Sequence, residues 1–532
     1  MALTYIIPAI ATVIIGAIAD YFLLPAWSIH NPGIYILLII FAGIYFGVHL
    51  LMCRFKETSR VLGSAISLGI AATLLLVLLV GAVSSWSLFH AKAYANILGD
   101  TIVETEITNL VISLEDAGLL DKEAAEQIAQ QELSTLGDQA SRFVTRSSSQ
   151  ISYNGAPTRI IPLDYKGFKE RKGGDPAYIT VDMRTQEAEI HYVEQPVKYT
   201  PGAILGKDLL RHLHYKYPTY IFAWAPQFEI DDTGKPFYVV PVAASRISLF
   251  GGRDVSGIVT VDPCSGDTEY YDLDAAPEWI DHVYPAELIV KQFNDYGKHQ
   301  DGGVASTAGY NYVNDGHNVY VYTGVTGAAS NELNIGFLFT NLHTKETRYY
   351  PLSGADERSA MDTAASTGGA EYTASFPWML PVEGTPTYCM ALKDSGGGVR
   401  MYAMVNVNKP HLVTVGSTRE ECQTSYRNLV LSNDVTITPP PVSIPAGPQA
   451  GSITGRIQDI RTGDKNGTTY FYLKLENQEV WYVVSLTDNE EAIKLNTTDT
   501  VVLDVGTSGS AGPIIQAKLK SYTEGAPWWE NN

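Results

Sequence analysis

Three long apolar runs fill the first ninety residues of the chain: Leu3 to Leu24, Gly33 to Cys53 and Leu62 to Phe89. A helix needs about 20 apolar residues to cross the hydrocarbon core of a bilayer, and each run has that length. Only Asp20 and His49 place an ionisable group inside the runs. Because no comparable run follows, the pattern predicts a three-helix transmembrane anchor over residues 1–92 and a large soluble part after it.

The charges beside the short loops predict the orientation of this anchor. The loop at 54–60 carries three basic residues and one acid, whereas the turn at 25–32 carries no Lys or Arg. Since basic loops stay in the cytoplasm, the N-terminus is expected in the cytoplasm, and residues after about 92 are expected outside it. The first run lacks the basic start and cleavage site of a secretory signal, so we expect it to be retained.

The ionisable residues of the runs do not suggest a conduction pathway. Asp20 lies near the outer end of the first run, where a carboxylate can reach interfacial water, and we interpret it as a snorkelling group. The runs hold no basic partner for it. A transporter or channel is therefore not expected.

A hairpin pattern recurs three times in the soluble part. Each copy holds a β-rich run, a polar turn and a second alternating run, and the copies occupy residues 179–191, 259–271 and 338–350. Asp182, Asp262 and Asn341 take the same place in the three copies, at spacings of 80 and 79 residues, which is typical of internal repeats. Because Asp or Asn can bond the backbone of the turn that follows it, we predict turn formers here rather than ligands.

Helix-compatible stretches accompany these hairpins. They occupy Gly206 to Tyr217, Ala286 to Tyr296 and Ala355 to Ala365. A fourth, degenerate unit is predicted over Val399 to Leu431, with its helix opened by Ser417 or Thr418. Upstream, Asp121 has the chemistry of an N-cap for a helix that runs to Leu133. The recurring order of helix and antiparallel strands predicts α+β modules over 93–300 and 301–435.

The hairpin segments resemble PepSY-like domains, which are small extracytoplasmic α+β modules in which a helix packs on a hairpin. The resemblance is carried best by residues 259–267, V-T-V-D-P-C-S-G-D. Together with the anchor, the helix from Asp121 and the segments 176–183 and 249–252, residues 1–435 look like an uncharacterised family of Firmicutes membrane proteins. PepSY-like modules are thought to bind or restrain partner proteins, sometimes peptidases, so the resemblance implies binding and supplies no catalytic residues.

A proline-rich linker at 436–450 separates a C-terminal module from the rest of the chain, since consecutive prolines stiffen the backbone and remove hydrogen-bond donors. After it, residues 451–522 contain five strand-like segments: Ser452 to Asp459, Thr468 to Leu475, Glu479 to Ser485, Val501 to Val505 and Ile514 to Lys520. A short helix is possible from Asn489 to Leu495. Five strands in this length resemble an OB-fold, a small β-barrel.

Aromatic residues on these strands would provide a stacking platform for single-stranded nucleic acid if they shared one face. They are Tyr470, Phe471, Tyr472, Trp481 and Tyr482. Strand alternation instead requires about half of the rings to enter the barrel core, and we therefore expect no nucleic-acid binding. The tail at 523–532 holds Trp528 and Trp529, which suit either a contact with the membrane interface or a partner, or a disordered end.

Charge and cysteine content narrow the function classes further. The chain has 532 residues and a net charge of −20, and because its first 92 residues carry +2, the remainder carries −22. An acidic surface repels polyphosphates and nucleic acids. Only Cys264, Cys389 and Cys422 lie beyond the predicted anchor, so at most one disulfide can form there.

No common catalytic or metal-binding signature occurs in the chain. His212 and His214 are two residues apart, and such residues point to different sides of a helix, so a metal pair is not predicted. Asp231, Asp232 and Gly234 belong to a D-D-T-G segment between two predicted strands, where a hairpin turn suffices. We thus predict no catalytic, cofactor-binding or metal-binding residues and no cofactor.

The sequence favours a non-enzymatic, multi-pass membrane protein of the bacterial cell envelope. We expect its extracytoplasmic modules to bind or scaffold a protein partner, with the lipid bilayer as its other partner. Two alternatives remain open: an envelope hydrolase or peptidase whose active site forms only in three dimensions, and a sensor or regulatory subunit of a membrane complex.

Overall fold

A computed structural model of the chain describes residues 3–523 with the exception of 57–60, 107–109, 111, 113, 115–116, 167–174, 299–303, 307–308, 328–332, 433–450, 466–467, 477, 479–480, 487–488, 498 and 506–513. The predictions for the linker at 436–450 and for Trp528 and Trp529 concern residues outside the described part. The chain divides into two compact units, one of residues 1–107 and 112–437 and one of residues 108–111 and 438–532.

The three apolar runs form three long helices, α1 (Leu3–Leu23), α2 (Pro32–Lys56) and α3 (Val61–Ser84). Each is long and apolar enough to cross a membrane, so the predicted multi-pass anchor is confirmed at this level. α2 packs against both α1 and α3. Many of their large apolar side chains, such as Val13 and Leu76, are exposed, as contact with lipid requires.

The second ionisable residue of the anchor, His49, is a packing residue. Its side chain is fully buried, and its ring centroid lies 5.9 Å from that of Tyr45 and 5.1 Å from that of Tyr5. A Cβ atom added at Gly63 would overlap the imidazole, so the glycine lets α3 approach α2 closely at this point.

In the described part of the chain, four mainly antiparallel sheets follow the anchor, each with a helix before its hairpins, and we number the resulting modules 1 to 4. The sheet of module 3 also carries one parallel strand, β1 (Ile102–Glu104). Module 1 contains α5 (Lys122–Ser134), β2 (Phe143–Thr145), β3 (Ser149–Tyr153), β4 (Ala156–Tyr165), β5 (Pro176–Asp182) and β6 (Ala188–Tyr192). Module 2 contains α6 (Leu209–Lys216), β7 (Gln227–Ile230), β8 (Pro236–Ile247), β9 (Gly251–Val261) and β10 (Thr268–Asp272). The sheet orders are β2-β4-β5-β6, with β3 also on β4, and β10-β9-β8-β7.

The next two modules repeat this plan. Module 3 contains α7 (Ala286–Gly297), β11 (Val304–Ser306), β12 (Asn311–Asn314), β13 (Val319–Gly327), β14 (Leu333–Asn341) and β15 (Thr347–Ala355). Module 4 contains α8 (Glu357–Gly368), β16 (Thr373–Ala374), β17 (Trp378–Val382), β18 (Thr385–Lys393), β19 (Val399–Asn406), β20 (Val413–Gly416) and α9 (Arg419–Ser432). A mixed body of helices and antiparallel sheets is therefore confirmed.

The repeated hairpin turns have one geometry. In each copy the side-chain oxygen of Asp182, Asp262 or Asn341 accepts hydrogen bonds from the backbone N–H groups two and three residues later. Asn406 does the same in module 4. The structure thus confirms these residues as turn formers, and it adds a fourth that the sequence comparison did not align.

The body packs directly on one end of the anchor. Helix α4 (Ala91–Gly99) leads from α3 to β1 (Ile102–Glu104), which pairs in parallel with β15. The backbone N–H of Trp27, in the α1–α2 loop, donates to the carbonyl of Pro218 at 2.7 Å, and Nδ1 of His30 lies 2.9 Å from the carbonyl oxygen of Leu249. Module 2 therefore lies at the end of the anchor that holds the α1–α2 loop.

The C-terminal unit is a closed barrel of five strands in the order β21-β22-β23-β25-β24. Its strands are β21 (Gly451–Lys465), β22 (Thr468–Leu475), β23 (Trp481–Ser485), β24 (Thr500–Val505) and β25 (Ile514–Thr523), with a short 3₁₀ helix at Glu490–Lys494. Tyr482 and Phe471 lie in the core, whereas Tyr470, Tyr472 and Trp481 are half-buried. The rings are therefore divided between the two faces, as strand alternation predicts.

Candidate binding pocket between modules 1 and 4

A pocket of about 320 Å³ lies where the β5–β6 turn of module 1 meets module 4. Leu119, Met183 and Val399 form its apolar part. The polar part comes from the turn, from β19 and from the residues that begin α9. The pocket therefore has three apolar lining residues, while most of its lining is polar and comes from two modules.

Polar contacts hold the two walls of the pocket together. The side-chain amide of Gln186 donates to the hydroxyl of Tyr402 at 2.6 Å, and that of Gln127 donates to the carbonyl of Gly396 at 2.6 Å. The ammonium group of Lys393 binds both Asp121, the N-cap of α5, and Glu123. The walls thus belong to one packed arrangement, and the pocket is largely preformed.

Three arginines from separate segments line this pocket: Arg184 of the β5–β6 turn, Arg400 of β19 and Arg419 of α9. Each has an acidic neighbour: Asp182 at 3.6 Å, Asp394 at 2.6 Å and Glu420 at 3.4 Å, respectively. A guanidinium group carries five N–H donors, so one carboxylate contact leaves others for a ligand. The Arg400 guanidinium holds the pKa of Asp394 below its usual value, so this acid is ionised at neutral pH.

The start of α9 places a positive charge where a helix tolerates it poorly. The hydroxyl of Thr418 accepts from the backbone N–H of Glu421 at 3.1 Å, and the Glu421 carboxylate accepts from the backbone N–H of Ser417 at 2.9 Å. The first bond makes Thr418 the N-cap, which confirms the predicted helix start, and the second resembles that of a capping box but reaches the residue before the N-cap. Arg419 follows the cap directly, although the positive end of the helix dipole disfavours a cation there. Glu420 and Glu421, also in the first turn, offset that cost, and Glu420 lies 3.4 Å from Arg419.

The structure disperses the histidines and acids that the sequence singled out. His212 Nε2 lies 2.7 Å from the carbonyl oxygen of Gly266, while His214 faces the anchor. Asp231 accepts from the backbone of its own β7–β8 turn, as predicted. Among the residues that the structure describes, no group of three His, Cys, Asp or Glu side chains is arranged to hold a metal ion.

Asp20, which the sequence suggests is a snorkelling group, has hydrogen-bond partners within the protein. Its carboxylate accepts from the indole N–H of Trp27 at 2.9 Å, lies 3.1 Å from Nε2 of His214 and also bonds the hydroxyl of Tyr215. Burial and the Asp20 charge raise the pKa of Tyr215, so its hydroxyl remains a donor at neutral pH. The sequence showed no partner because His214 lies 194 positions away, outside the apolar runs.

A second polar cluster, missed by the sequence reasoning, is buried among modules 1, 2 and 3. The carboxylate of Glu229 on β7 accepts from the backbone N–H groups of Asp281 and His282 at 2.8 and 3.1 Å, and lies 3.0 Å from Nδ1 of His282. The Asp281 carboxylate in turn accepts from the backbone N–H of Ser152 at 2.7 Å. Burial, followed by the negative charge of Glu229, raises the pKa of Asp281 well above its usual value.

This buried cluster joins modules rather than opening to solvent. Glu229 is fully buried, and Asp281 and His282 are at most 5% exposed. Next to it, Gln150 of β3 donates to Asn314 of β12 at 2.7 Å, which links module 1 to module 3. The one sequence signal for the cluster is the charged Glu229 inside an apolar strand, flanked by the buried Phe228 and Ile230.

The buried carboxyl of Asp281 makes a pH-dependent contribution to stability. Its pKa is higher in the folded than in the unfolded protein, so its contribution is complete below pH about 4 and is lost as the pH rises through the folded pKa. Glu229 and Asp315 raise this pKa, while the backbone N–H groups of Ser152 and Val319 lower it. We expect Asp281→Asn, which retains an acceptor for Ser152, to match the wild type at pH 4 and to melt about 2–4 °C higher at pH 8.

Thermal unfolding of the detergent-solubilised chain between pH 4 and pH 8 measures this difference. Asp232→Asn, which changes an exposed acid of the β7–β8 turn, serves as the control and is expected to follow the wild type throughout. A melting-temperature gap that is the same at both pH values would show that Asp281 does not titrate as described.

Comparisons with known proteins add no identification. No protein-family model matches the chain, and no curated protein matches it either. Among solved structures, a point mutant of the Synechocystis apocarotenoid oxygenase is similar at 8% sequence identity, over 52% of this chain and 53% of that one, with a TM-score of 0.14. A likeness at this level carries no argument about fold or catalysis.

Proposed function

We propose that this chain is a membrane-anchored binding or scaffold protein that receives an acidic segment of a partner protein in the pocket between modules 1 and 4. The observation that carries the proposal is the convergence of Arg184, Arg400 and Arg419 on one pocket. Each of the three is paired with one acid, and Glu420 itself lines the pocket, so the site offers spare guanidinium N–H donors rather than a net positive charge. Arginine suits carboxylates because its planar group can bind both oxygens.

The module architecture supports the same proposal. In modules 1 to 3 a helix precedes a sheet that contains the repeated hairpin, which is the plan expected of PepSY-like binding modules. The closed five-stranded barrel at the C-terminus supports the OB-like assignment. PepSY-like modules and OB-folds both present surfaces to binding partners.

We also propose that the body lies outside the cytoplasm. The body contacts the α1–α2 loop, which is the loop without Lys or Arg, and the basic loop at 54–60 joins the opposite ends of α2 and α3. Retention of the basic loop in the cytoplasm would place the body on the other side of the membrane.

The buried cluster of Glu229, Asp281 and His282 gives no support to an enzymatic alternative. A general acid or base must come within hydrogen-bond reach of the proton that it transfers. The Glu229 carboxylate is bonded to the His282 ring and to the backbone N–H groups of Asp281 and His282. The Asp281 carboxylate accepts from the backbone N–H of Ser152 in the interior. We therefore assign these three groups to the joining of modules.

A photo-crosslinking amino acid at Glu420, an exposed residue of the pocket, tests the binding proposal in native membranes. We expect a discrete protein adduct whose linked peptide is rich in Asp and Glu, and a reduction of the adduct by at least fivefold when Arg184→Glu and Arg400→Glu are combined. The matched control combines Lys291→Glu and Lys409→Glu, two exposed lysines elsewhere on the body, and should leave the adduct unchanged. An adduct that survives charge reversal in the pocket, or the lack of any adduct, would count against the proposal.

Labelling of intact cells with a membrane-impermeant maleimide tests the orientation. In a Cys264→Ser background, a cysteine at Leu431, whose side chain is 56% exposed on α9, should react from outside. A cysteine at Ser59 in the basic loop should react only after the cells are opened. The reverse pattern would invert the proposed topology.

A further inference from the structure

Module 2 exposes large apolar side chains beside the end of α1. Ile204, Leu205 and Leu210 are 48%, 67% and 36% exposed, and they lie in the loop before α6 and in its first turn. Leu205 adopts a left-handed backbone conformation, with φ of +54°, which is strained for a leucine. We call the surface formed by residues 203–211 the α6 edge.

Arg211 ties this edge to the first membrane helix. One of its terminal nitrogens donates to the carbonyl of Leu205 at 2.8 Å, and its Nε donates to the carbonyl of Tyr21 at 3.2 Å. The guanidinium carbon also lies 4.3 Å from the centre of the Tyr21 ring. A single side chain thus fixes the strained loop against the last turn of α1.

The length of α1 sets the depth of this contact. The candidate span Leu3–Leu23 has 21 residues, which at about 1.5 Å per residue is close to the roughly 30 Å of the hydrocarbon core. The helix has no spare turn, so Tyr21 must lie at the level of the membrane surface. Arg211 contacts Tyr21, so the α6 edge lies at the same level.

Other exposed side chains at this end of the anchor are of types that favour the membrane surface. Trp27 in the α1–α2 loop and Trp86 after α3 are exposed by 43% and 59%. Tryptophan and other amphipathic aromatic residues collect at the boundary between acyl chains and headgroups. They mark a boundary that passes beside the α6 edge.

The positive charge around the α6 edge is complementary to the negative charge of phospholipid phosphates. Residues 198–216 contain four Lys or Arg residues and one acid, although the rest of the body is strongly acidic. Basic side chains beside apolar ones are the composition of segments that lie on a membrane surface.

We propose that the α6 edge is a membrane-contact surface that inserts Ile204, Leu205 and Leu210 into the phospholipid layer holding α1. We choose the phospholipid layer as the binding partner for two reasons. The α6 edge contacts a helix that spans this layer, and the basic residues around the edge have the opposite charge to the lipid phosphates. Module 2 then lies on the membrane instead of standing away from it, and modules 1, 3 and 4 extend from a base of fixed orientation. This inference concerns the lipid surface and does not depend on the partner bound at the arginine pocket.

Depth-dependent quenching tests the contact in the full chain reconstituted into phosphatidylcholine and phosphatidylglycerol vesicles. In a Cys264→Ser background, a fluorescent label is placed on a cysteine at Leu205 and, separately, at Leu210. We expect lipids spin-labelled near the headgroup to quench both positions at least threefold more strongly than a label at Leu431, an exposed leucine of module 4. Adding Leu205→Glu should weaken the quenching at position 210, whereas Leu431→Glu should not.

Two results would overturn the proposal. In the first, the label at 205 is quenched by aqueous iodide as readily as the label at 431 and is not quenched by the lipids. In the second, the cysteine at 205 forms a disulfide-linked dimer in place of lipid quenching, which would assign the edge to a second copy of the chain. Leu205 and Leu210 are both exposed, and the polar contacts of Arg211 hold the loop. A label at either position therefore does not require the fold to change.

Discussion

The carboxylate of Asp20 is the constraint on which the arrangement of anchor and body depends. A charged group in the last turn of a membrane helix is costly unless polar partners surround it. Here the donors come from the α1–α2 loop through Trp27 and from α6 through His214 and Tyr215. Two of the three donors to this carboxylate therefore come from module 2, which ties the module to the end of the anchor.

Further contacts between α3 and module 2 follow from this docking. The backbone N–H of Phe250 donates to the hydroxyl of Ser85 at 2.9 Å, and the hydroxyls of Ser84 and Ser248 lie 2.7 Å apart. A Cβ at Gly81 would overlap the ring of Phe250 in its present position, so the glycine leaves room for this ring against α3. The buried cluster around Glu229 and the contacts of Lys393 then join the remaining modules, which makes the anchor, the body and the arginine pocket parts of one packed unit.

Local features of the chain were predictable from its sequence, and contacts between distant residues were not. The apolar runs, the helix capped by Asp121, the turns at Asp182, Asp262 and Asn341 and the strands of the barrel depend on periodicity and on side chains close in sequence. The pocket unites Arg184 with Arg400, and the junction unites Asp20 with His214, through folding over some two hundred residues. Neither pairing produces a local pattern in the sequence. The charged Glu229 within an apolar strand indicated an unusual position, but its partners Asp281 and His282 could not be predicted.

A distance measurement between anchor and body tests the docking at Asp20 most directly. Spin labels on cysteines at Ile29, in the α1–α2 loop, and at Tyr192, on module 1, are both exposed positions of the full chain in lipid nanodiscs. We expect one narrow distance distribution in the otherwise native protein and a clearly broader one when Asp20→Ala and Arg211→Ala are combined, with Asp100→Ala as an unaffected control. A distribution that is already broad before the change, or one that stays narrow after it, would show that these contacts do not fix the body on the anchor.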